Sequence, residues 1–290
     1  MPTEFLRESI VGGHKMVADS LRECGVEVFH LDEAIVERLV ELEETYFNED
    51  SRAVRSLVLA TAAYLVEEEP GLGLSEEQMK TLGLAATLHD VGKSGPPDAD
   101  LEMRSTIRRI YSLGSAVVRQ AQEASIPPDS TIEHVVQQYW PGAATRMLMR
   151  LAEIKDFSLV TMRDFWNAHG YWSYELLATH PKGLNQHVID IVAFHHVLEG
   201  ISPKPIAPDE YFVTGSAEKR MAFMLIAADK YEAARVRGGK DHETAMNVVR
   251  GKVIGSQWKD NAVFLRILDA FNKVGEKTLA EFLKKNQTSL

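Results

Sequence analysis

Histidine and aspartate residues with the chemistry of metal ligands lie on, or at the end of, apolar segments with helical periodicity. They are the adjacent pairs His89-Asp90 and His195-His196 and the single residues His169 and Asp229. An imidazole or carboxylate without a partner is costly to bury. Imidazole nitrogens and carboxylate oxygens without sulfur suit Mn, Fe, Zn or Ni, and adjacent pairs can bind two neighbouring ions. A lone buried histidine is more often a hydrogen-bonded core residue, but two adjacent pairs favour a metal site.

The elements that must position these residues are helices. Apolar residues recur with the 3.6-residue period of a helix, whereas the alternating period of strands is nearly absent. Ser75 followed by Gln78 is typical of a capped helix start, for a helix that runs to His89-Asp90, and Pro70-Gly71 is typical of a helix end. The other predicted helices span 33–47, 52–69, 102–124, 130–153, 161–168, 171–179, 185–197, 217–235, 242–252 and 260–285.

These patterns predict an all-α fold in which a short N-terminal portion precedes a main helical bundle. The N-terminal portion, about 1–48, is interpreted as a helical extension or a small domain. It is too short for a βα-repeat domain and is a candidate contact for a homodimer. The segment 200–215 contains three prolines and no helical period, so it is predicted to be a loop beside a site.

The composition is that of an ordinary globular protein, with 45% apolar and 26% charged residues among 290. The formal net charge of −10 argues against a binder of extended nucleic acid, which needs a broad basic face. The negative net charge does not exclude a small anionic ligand bound in a metal-containing pocket. Cys24 is the single cysteine, so neither an intrachain disulfide nor a thiolate cluster can form. Apolar stretches such as Val58–Val66 are too short for a membrane helix, so we expect a cytoplasmic protein.

The residues Leu84–Asp98 read LAATLHDVGKSGPPD and resemble the central motif of the HD-domain metal-dependent phosphohydrolases. The motif is closest to that of the HD-GYP subgroup, whose members hydrolyse cyclic di-GMP. Later segments resemble, in order, its middle ligand helix, its double-histidine motif, its closing metal-aspartate helix and its Gly-Thr-Gln-Phe element. These are His169–Leu177, Ala193–His196, Ala227–Ala233 and Gly255–Trp258. The resemblance covers roughly 50–272.

The resemblance implies an HD-domain helical bundle over 49–290 with two divalent metal ions, Fe or Mn by preference and Zn, Ni or Mg as alternatives. By analogy, Asp90 bridges the ions and Lys93 lies near the scissile phosphate, so these two are the predicted catalytic residues. The family places phosphate-binding basic residues in the regions of Lys204, Arg235 and Arg237. The implied metal ligands are His89, Asp90, His169, His195, His196 and Asp229.

Two residues of the subgroup's pattern are missing. No histidine stands near 50–58, where the family has its first metal ligand. The carboxylates that could replace it are Glu43, Glu44, Glu49 and Asp50. After His196 the sequence reads VLEGISPKP, which lacks the tyrosine of the Gly-Tyr-Pro motif.

An insertion of about 50 residues, roughly 100–160, separates the segment around His89 from His169. It contains four arginines that could line a phosphate pocket, although a solvated helix face is the favoured prediction. These are Arg104, Arg108, Arg109 and Arg119.

The expected function is that of a metal-dependent phosphodiesterase acting on cyclic di-GMP or a related cyclic dinucleotide. Two adjacent cations can lower the pKa of a bridging water and stabilise charge on the phosphate. One alternative is a signalling protein that binds a cyclic dinucleotide with little turnover, which the missing histidine and tyrosine favour. Another is an HD protein that acts on a different phosphate ester or as a di-iron oxygenase. The expected partner is therefore a small phosphate ester, with no membrane involved.

Overall fold

The computed structural model describes residues 13–43, 47–113, 126–154, 160–200 and 216–287, and these confirm the all-α prediction. They contain no strand, and Thr131 and Thr161 form an isolated β-bridge. Within these ranges, no helix is both long enough and apolar enough to cross a bilayer. A helical segment, 13–22, is followed by α1 (Glu33–Glu43), α2 (Phe47–Glu68), α3 (Glu76–Leu88), α4 (Leu101–Ser112), α5 (Ile132–Tyr139), α6 (Ala144–Ala152), α7 (Met162–Thr179), α8 (Gln186–Ala193), α9 (Ala217–Glu232), α10 (His242–Ile254) and α11 (Ala262–Gln287). Short turns of 3₁₀-helix span Val28–His30, Val91–Ser94 and Val197–Glu199, and a π-helical turn spans Ala233–Arg237.

The start of α3 is capped as predicted. Ser75 Oγ accepts a hydrogen bond from the Gln78 amide at 3.3 Å, and the Gln78 side chain accepts one from the Ser75 amide at 2.9 Å. Each bond satisfies a backbone donor that has no partner within the helix. Because α3 ends at Leu88, His89 and Asp90 begin the turn that follows it.

The predicted helix over 130–153 is wrong, because this range holds two helices, α5 and α6. Pro141-Gly142 lies between them, and proline lacks the amide hydrogen that a helix interior requires. The predicted helix over 52–69 also begins earlier, at Phe47. Part of the helix predicted over 102–124 lies outside the described residues.

The two helices predicted over 161–168 and 171–179 form one helix, α7, which continues through Gly170. A Cβ on Gly170 would lie 3.1 Å from Cδ2 of His196, so glycine allows α7 to approach the His196 turn closely. The helix predicted over 185–197 ends earlier, at Ala193. His195 and His196 therefore lie in a turn after α8.

A large apolar core runs through the described residues, from Val17 in the first helical segment to Leu279 in α11. The central helix is α2, which contacts α3, α9 and α11. Arg38 of α1 is buried and donates hydrogen bonds to the carbonyls of Ser94 and Pro96, both at 2.9 Å. The N-terminal helices therefore hold the loop that follows His89-Asp90.

Two of the four arginines singled out in the insertion face α1. Arg104 and Arg108 both form ion pairs with Glu41, and the Arg104 Nη2 to Glu41 Oε1 distance is 2.5 Å. The prediction that these arginines lie on a solvated helix face is wrong for Arg108, which is buried. Arg109 lies over the Trp140 ring, 5.8 Å from its centre. Arg119 lies outside the described residues.

Candidate metal centre

Four segments far apart in the sequence bring the predicted metal ligands together. The Oδ1 atom of Asp90 lies 2.8 Å from His169 Nε2, and its Oδ2 atom lies 3.3 Å from His89 Nε2. All of the predicted ligands are buried, with 8% or less of each residue exposed. They come from the turn after α3, from α7, from the turn after α8 and from α9: His89, Asp90, His169, His195, His196 and Asp229.

The residues His169, His195 and His196 form a buried group that could hold a metal ion. The Nε2 atom of His169 lies 2.8 Å from that of His196 and 3.4 Å from that of His195. Imidazole nitrogens that converge in this way suit first-row ions such as Zn, Fe, Ni or Cu. The group confirms the coarser part of the prediction, a histidine site able to bind metal.

Backbone carbonyls orient three of the imidazole rings. In each ring Nδ1 contacts the carbonyl of the residue three positions earlier, at 2.8 Å for His89 and 2.6 Å for His195, and His169 does the same. A carbonyl oxygen can only accept, so Nδ1 carries the hydrogen and Nε2 carries the lone pair. Such an outer hydrogen bond is typical of histidines that bind metal ions.

The surroundings of His89 Nε2 favour a positive charge. This nitrogen is buried and has no hydrogen-bond partner among the described residues. Its nearest acidic neighbours are the Asp90 carboxylate at 3.3 Å and the Asp229 carboxylate at 3.8 Å. The two carboxylates favour a positive charge on or beside this nitrogen, which a proton on His89 or a metal ion can supply. Together with the histidine group, the residues present fit a metal ion.

The histidines of the group are held in the neutral form. Burial lowers the pKa of His195 and His196 well below its usual value, and the charges of neighbouring groups lower it further. Burial also lowers the pKa of His169, against the opposing effect of the Asp90 carboxylate. Neutral imidazole is the form that binds a metal ion, so these rings need not lose a proton at neutral pH.

The aspartates are held in the ionised form. Burial by itself would raise the pKa of Asp90 and Asp229, but neighbouring positive groups outweigh it, and both values lie well below the usual range. These groups are chiefly His89 and Lys93 for Asp90, and Lys230 and His89 for Asp229. For His89, burial lowers the pKa, but the two carboxylates outweigh it and the net shift is upward.

The centre opens onto a cavity of about 570 Å³. Asp90, His169, His196 and Asp229 line it, whereas His89 and His195 have no exposed surface. The wall also carries five basic side chains and two aromatic ones, which suit an anionic ligand with apolar parts. They are Lys93, Arg163, Lys230, Lys240, Lys252, Tyr111 and Trp166.

Among the carboxylates proposed to replace the missing histidine, Asp50 lines the cavity. Glu43 instead forms an ion pair with Arg52, at 2.8 Å. Glu49 is not among the described lining residues, and Glu44 lies outside the described residues. The structure therefore favours Asp50 among the described candidates.

Two lysines touch the predicted ligands. Lys93 Nζ lies 2.5 Å from Asp90 Oδ2, which brings together the two residues predicted to be catalytic. Lys230, which the sequence analysis did not single out, lies 2.8 Å from Asp229 Oδ2 and 3.1 Å from both His196 Nδ1 and Glu199 Oε2. Its signal in the sequence is a lysine within a predicted apolar helix, next to a predicted metal ligand.

Among the residues that it describes, the structure does not bring the predicted substrate-binding side chains to the cavity as it does most of the predicted ligands. Arg235 lies in the π-helical turn, where its Nη1 donates to the Lys240 carbonyl at 2.6 Å, and it is not among the described lining residues. Lys204 and the side chain of Arg237 lie outside the described residues. Lys240 and Lys252, which sequence reasoning missed, line the cavity.

Comparison with known proteins finds no relative: no family model, no curated protein and no solved structure matches the chain. The metal, the reaction and the substrate are therefore inferred from the residues themselves. The firmest observation is the buried group of His169, His195 and His196 beside the cavity.

Proposed function

We propose that the protein is a metal-dependent phosphodiesterase of the HD type, which hydrolyses cyclic di-GMP or a related cyclic dinucleotide. One observation carries the proposal. The residues that the HD-GYP resemblance implies as ligands come from four separate segments and meet in one buried cluster beside a cavity. Unrelated core histidines and aspartates would have no reason to converge in this way.

The residues have distinct tasks in this proposal. Bound divalent ions would lower the pKa of a water molecule and stabilise charge on the attacked phosphate. The histidine group offers neutral nitrogens, and Asp90 faces His169 with one oxygen and His89 with the other. Lys93, held against Asp90 at the cavity wall, presents an ammonium to a phosphate oxygen.

The cavity suits a small dinucleotide in size and chemistry. Its volume of about 570 Å³ is in the usual range for a small-molecule site. Lys240 and Lys252 on its wall can pair with a second phosphate, and Trp166 and Tyr111 offer surfaces on which a base can stack. Base stacking on an aromatic ring is worth about 1–3 kcal/mol per base.

A second candidate is a signalling protein that binds the same ligand with little turnover. Lys230 favours it, because this buried ammonium contacts both Asp229 and His196, two of the proposed ligands. The absence of a histidine near Asp50 favours it as well. A metal centre with fewer available protein ligands can still bind the cyclic dinucleotide while hydrolysing it slowly.

The test is incubation of the purified protein with cyclic di-GMP and added Mn or Fe, with products identified by mass spectrometry. We expect the linear dinucleotide or the mononucleotide from the wild type and none from Asp90→Ala. The matched control is His187→Ala, an exposed histidine outside the described cavity wall, which should keep full activity. Tight binding without product would support the signalling protein instead. Oxygen consumption with an iron requirement would support an oxygenase.

A further inference from the structure

The proposed metal centre has two unequal halves. In the first half, His169, His195 and His196 direct neutral nitrogens at one another within 3.4 Å of His169 Nε2. In the second half, His89 Nε2 lies 3.3 Å from Asp90 and 3.8 Å from Asp229. The other oxygen of Asp90, Oδ1, lies 2.8 Å from His169 Nε2. The first half therefore has three nitrogen ligands and a share of one carboxylate, whereas the second has one nitrogen and depends on carboxylates.

Both carboxylates of the second half already carry an ammonium partner. Lys93 Nζ lies 2.5 Å from Asp90 Oδ2, and Lys230 Nζ lies 2.8 Å from Asp229 Oδ2. Both lysines are buried, with 4% and 7% of the residue exposed, so solvent screens these charges poorly. The negative charge that would attract an ion to the second half is therefore largely neutralised.

The surrounding wall supplies no surplus of negative charge. Its described lining has four carboxylates and five basic side chains. Two divalent ions would place four further positive charges in this partly buried region, and uncompensated buried charge is costly. One ion is far easier to accommodate. The charged lining residues are Asp50, Asp90, Glu199, Asp229, Lys93, Arg163, Lys230, Lys240 and Lys252.

From this asymmetry we infer that the ligand-free protein holds one divalent ion tightly, at His169, His195 and His196, and that Lys230 keeps the second half from binding another. The Lys230 ammonium thus supplies the positive charge that a second metal ion would otherwise supply. This inference rests on the metal centre of the proposed function but not on the reaction. It differs from the two bound ions that the HD-GYP resemblance implies.

The experiment measures metal binding without substrate. Metal-depleted wild type is titrated with Mn²⁺, and bound metal per chain is determined by elemental analysis after dialysis. Mn²⁺ electron paramagnetic resonance then separates a single ion from a coupled pair. We expect one tight ion in the wild type, and a second tight ion in Lys230→Met, whose affinity for that ion rises at least about tenfold. Lys80→Met is the control, because Lys80 forms an exposed ion pair with Glu76 and is not among the described residues that line the cavity.

Two tight ions of similar affinity in the wild type would overturn the inference, and so would a single ion in a folded Lys230→Met. If that variant does not fold, the wild-type titration still decides, since it distinguishes one tight ion from two. A lack of hydrolysis with every cyclic dinucleotide would contradict the proposed function but leave the metal count unchanged. The two failures are therefore distinguishable.

Discussion

Ser173 Oγ donates a 2.7 Å hydrogen bond to the backbone carbonyl of His89, a residue 84 positions earlier in the chain. The same hydroxyl accepts a 2.9 Å hydrogen bond from the amide of Gly92. One buried serine in α7 thus holds both ends of the turn that contains Asp90. Because His169 lies one turn earlier in α7, this contact sets the distance between His169 and Asp90.

Replacing Ser173 with alanine should destabilise the fold and weaken metal binding. The substitution leaves the buried amide of Gly92 without this acceptor, which costs about 1–3 kcal/mol in the free energy of unfolding. Urea denaturation and Mn²⁺ titration measure the two effects. Ser112→Ala is the control, since Ser112 bonds only locally, to the Arg109 carbonyl, among its described contacts. Equal stability of the two variants would contradict the role of Ser173.

Gly92 should tolerate no side chain. A Cβ there would overlap the carbonyl oxygen of His169 and the amide nitrogen of Ser173, and backbone atoms cannot move aside as a flexible side chain can. We expect Gly92→Ala to lose about 3 kcal/mol or more of stability, or to fail to fold. Gly71→Ala is the control, because no atom of the described residues that could clash lies within 4 Å of its Cβ position. Thermal unfolding compares them, and equal melting temperatures would contradict this packing.

His195→Ala should lower metal affinity by at least about tenfold, because it removes a nitrogen ligand from the histidine group. The measurement is metal per chain after dialysis at fixed free Mn²⁺. His187→Ala is an exposed histidine control that should retain the metal. Wild-type metal content in His195→Ala would show that the ion binds elsewhere.

Arg38→Met should destabilise the loop after Asp90. The Arg38 guanidinium donates to the buried carbonyls of Ser94 and Pro96 and to the part-buried carbonyl of Pro97, and the substitution leaves these acceptors without it. We expect a loss of about 2–4 kcal/mol in the free energy of unfolding, measured in urea. Arg22→Met, at a solvent-exposed ion pair, should leave the stability nearly unchanged. A loss no larger than that of the control would show that the loop does not depend on Arg38.

The metal-depleted protein should become less stable as the pH falls from about 7.5 to about 5.5. The folded-state pKa of His195 and His196 lies well below the ordinary value of 6.5, so below that pH the unfolded chain binds protons that the folded chain does not. Each such histidine contributes up to about 1.4 kcal/mol per pH unit. His89, whose pKa is raised, opposes this trend, but His169 adds to it.

Urea denaturation at several pH values measures this dependence. His195→Gln should flatten the slope, because it removes one of the histidines that carry it. Stability that is constant, or that rises on acidification, would mean that these rings are already protonated in the folded protein.

Local features of the sequence determined the helices and the chemistry of the ligands. The apolar period, the Ser75 cap and the proline breaks act within a few residues, so an all-α fold is predictable from them. The predictions of helix boundaries failed at Pro141-Gly142, where the helix breaks, and at Gly170, where it continues. Whether a proline or a glycine ends a helix depends on the packing around it. The HD-type assignment itself stays a prediction.

Tertiary structure alone decided which side chains meet. The sequence places Lys230 beside Asp229, but it does not predict that the Lys230 ammonium contacts the side chains of both Asp229 and His196. The sequence also does not predict the ion pair between Arg108 and Glu41 of α1. Helix formation depends on neighbouring residues, whereas the register of packed helices depends on contacts between residues far apart, such as that of Ser173 with His89. For this reason the donor types were predictable, and the asymmetry of the centre was not.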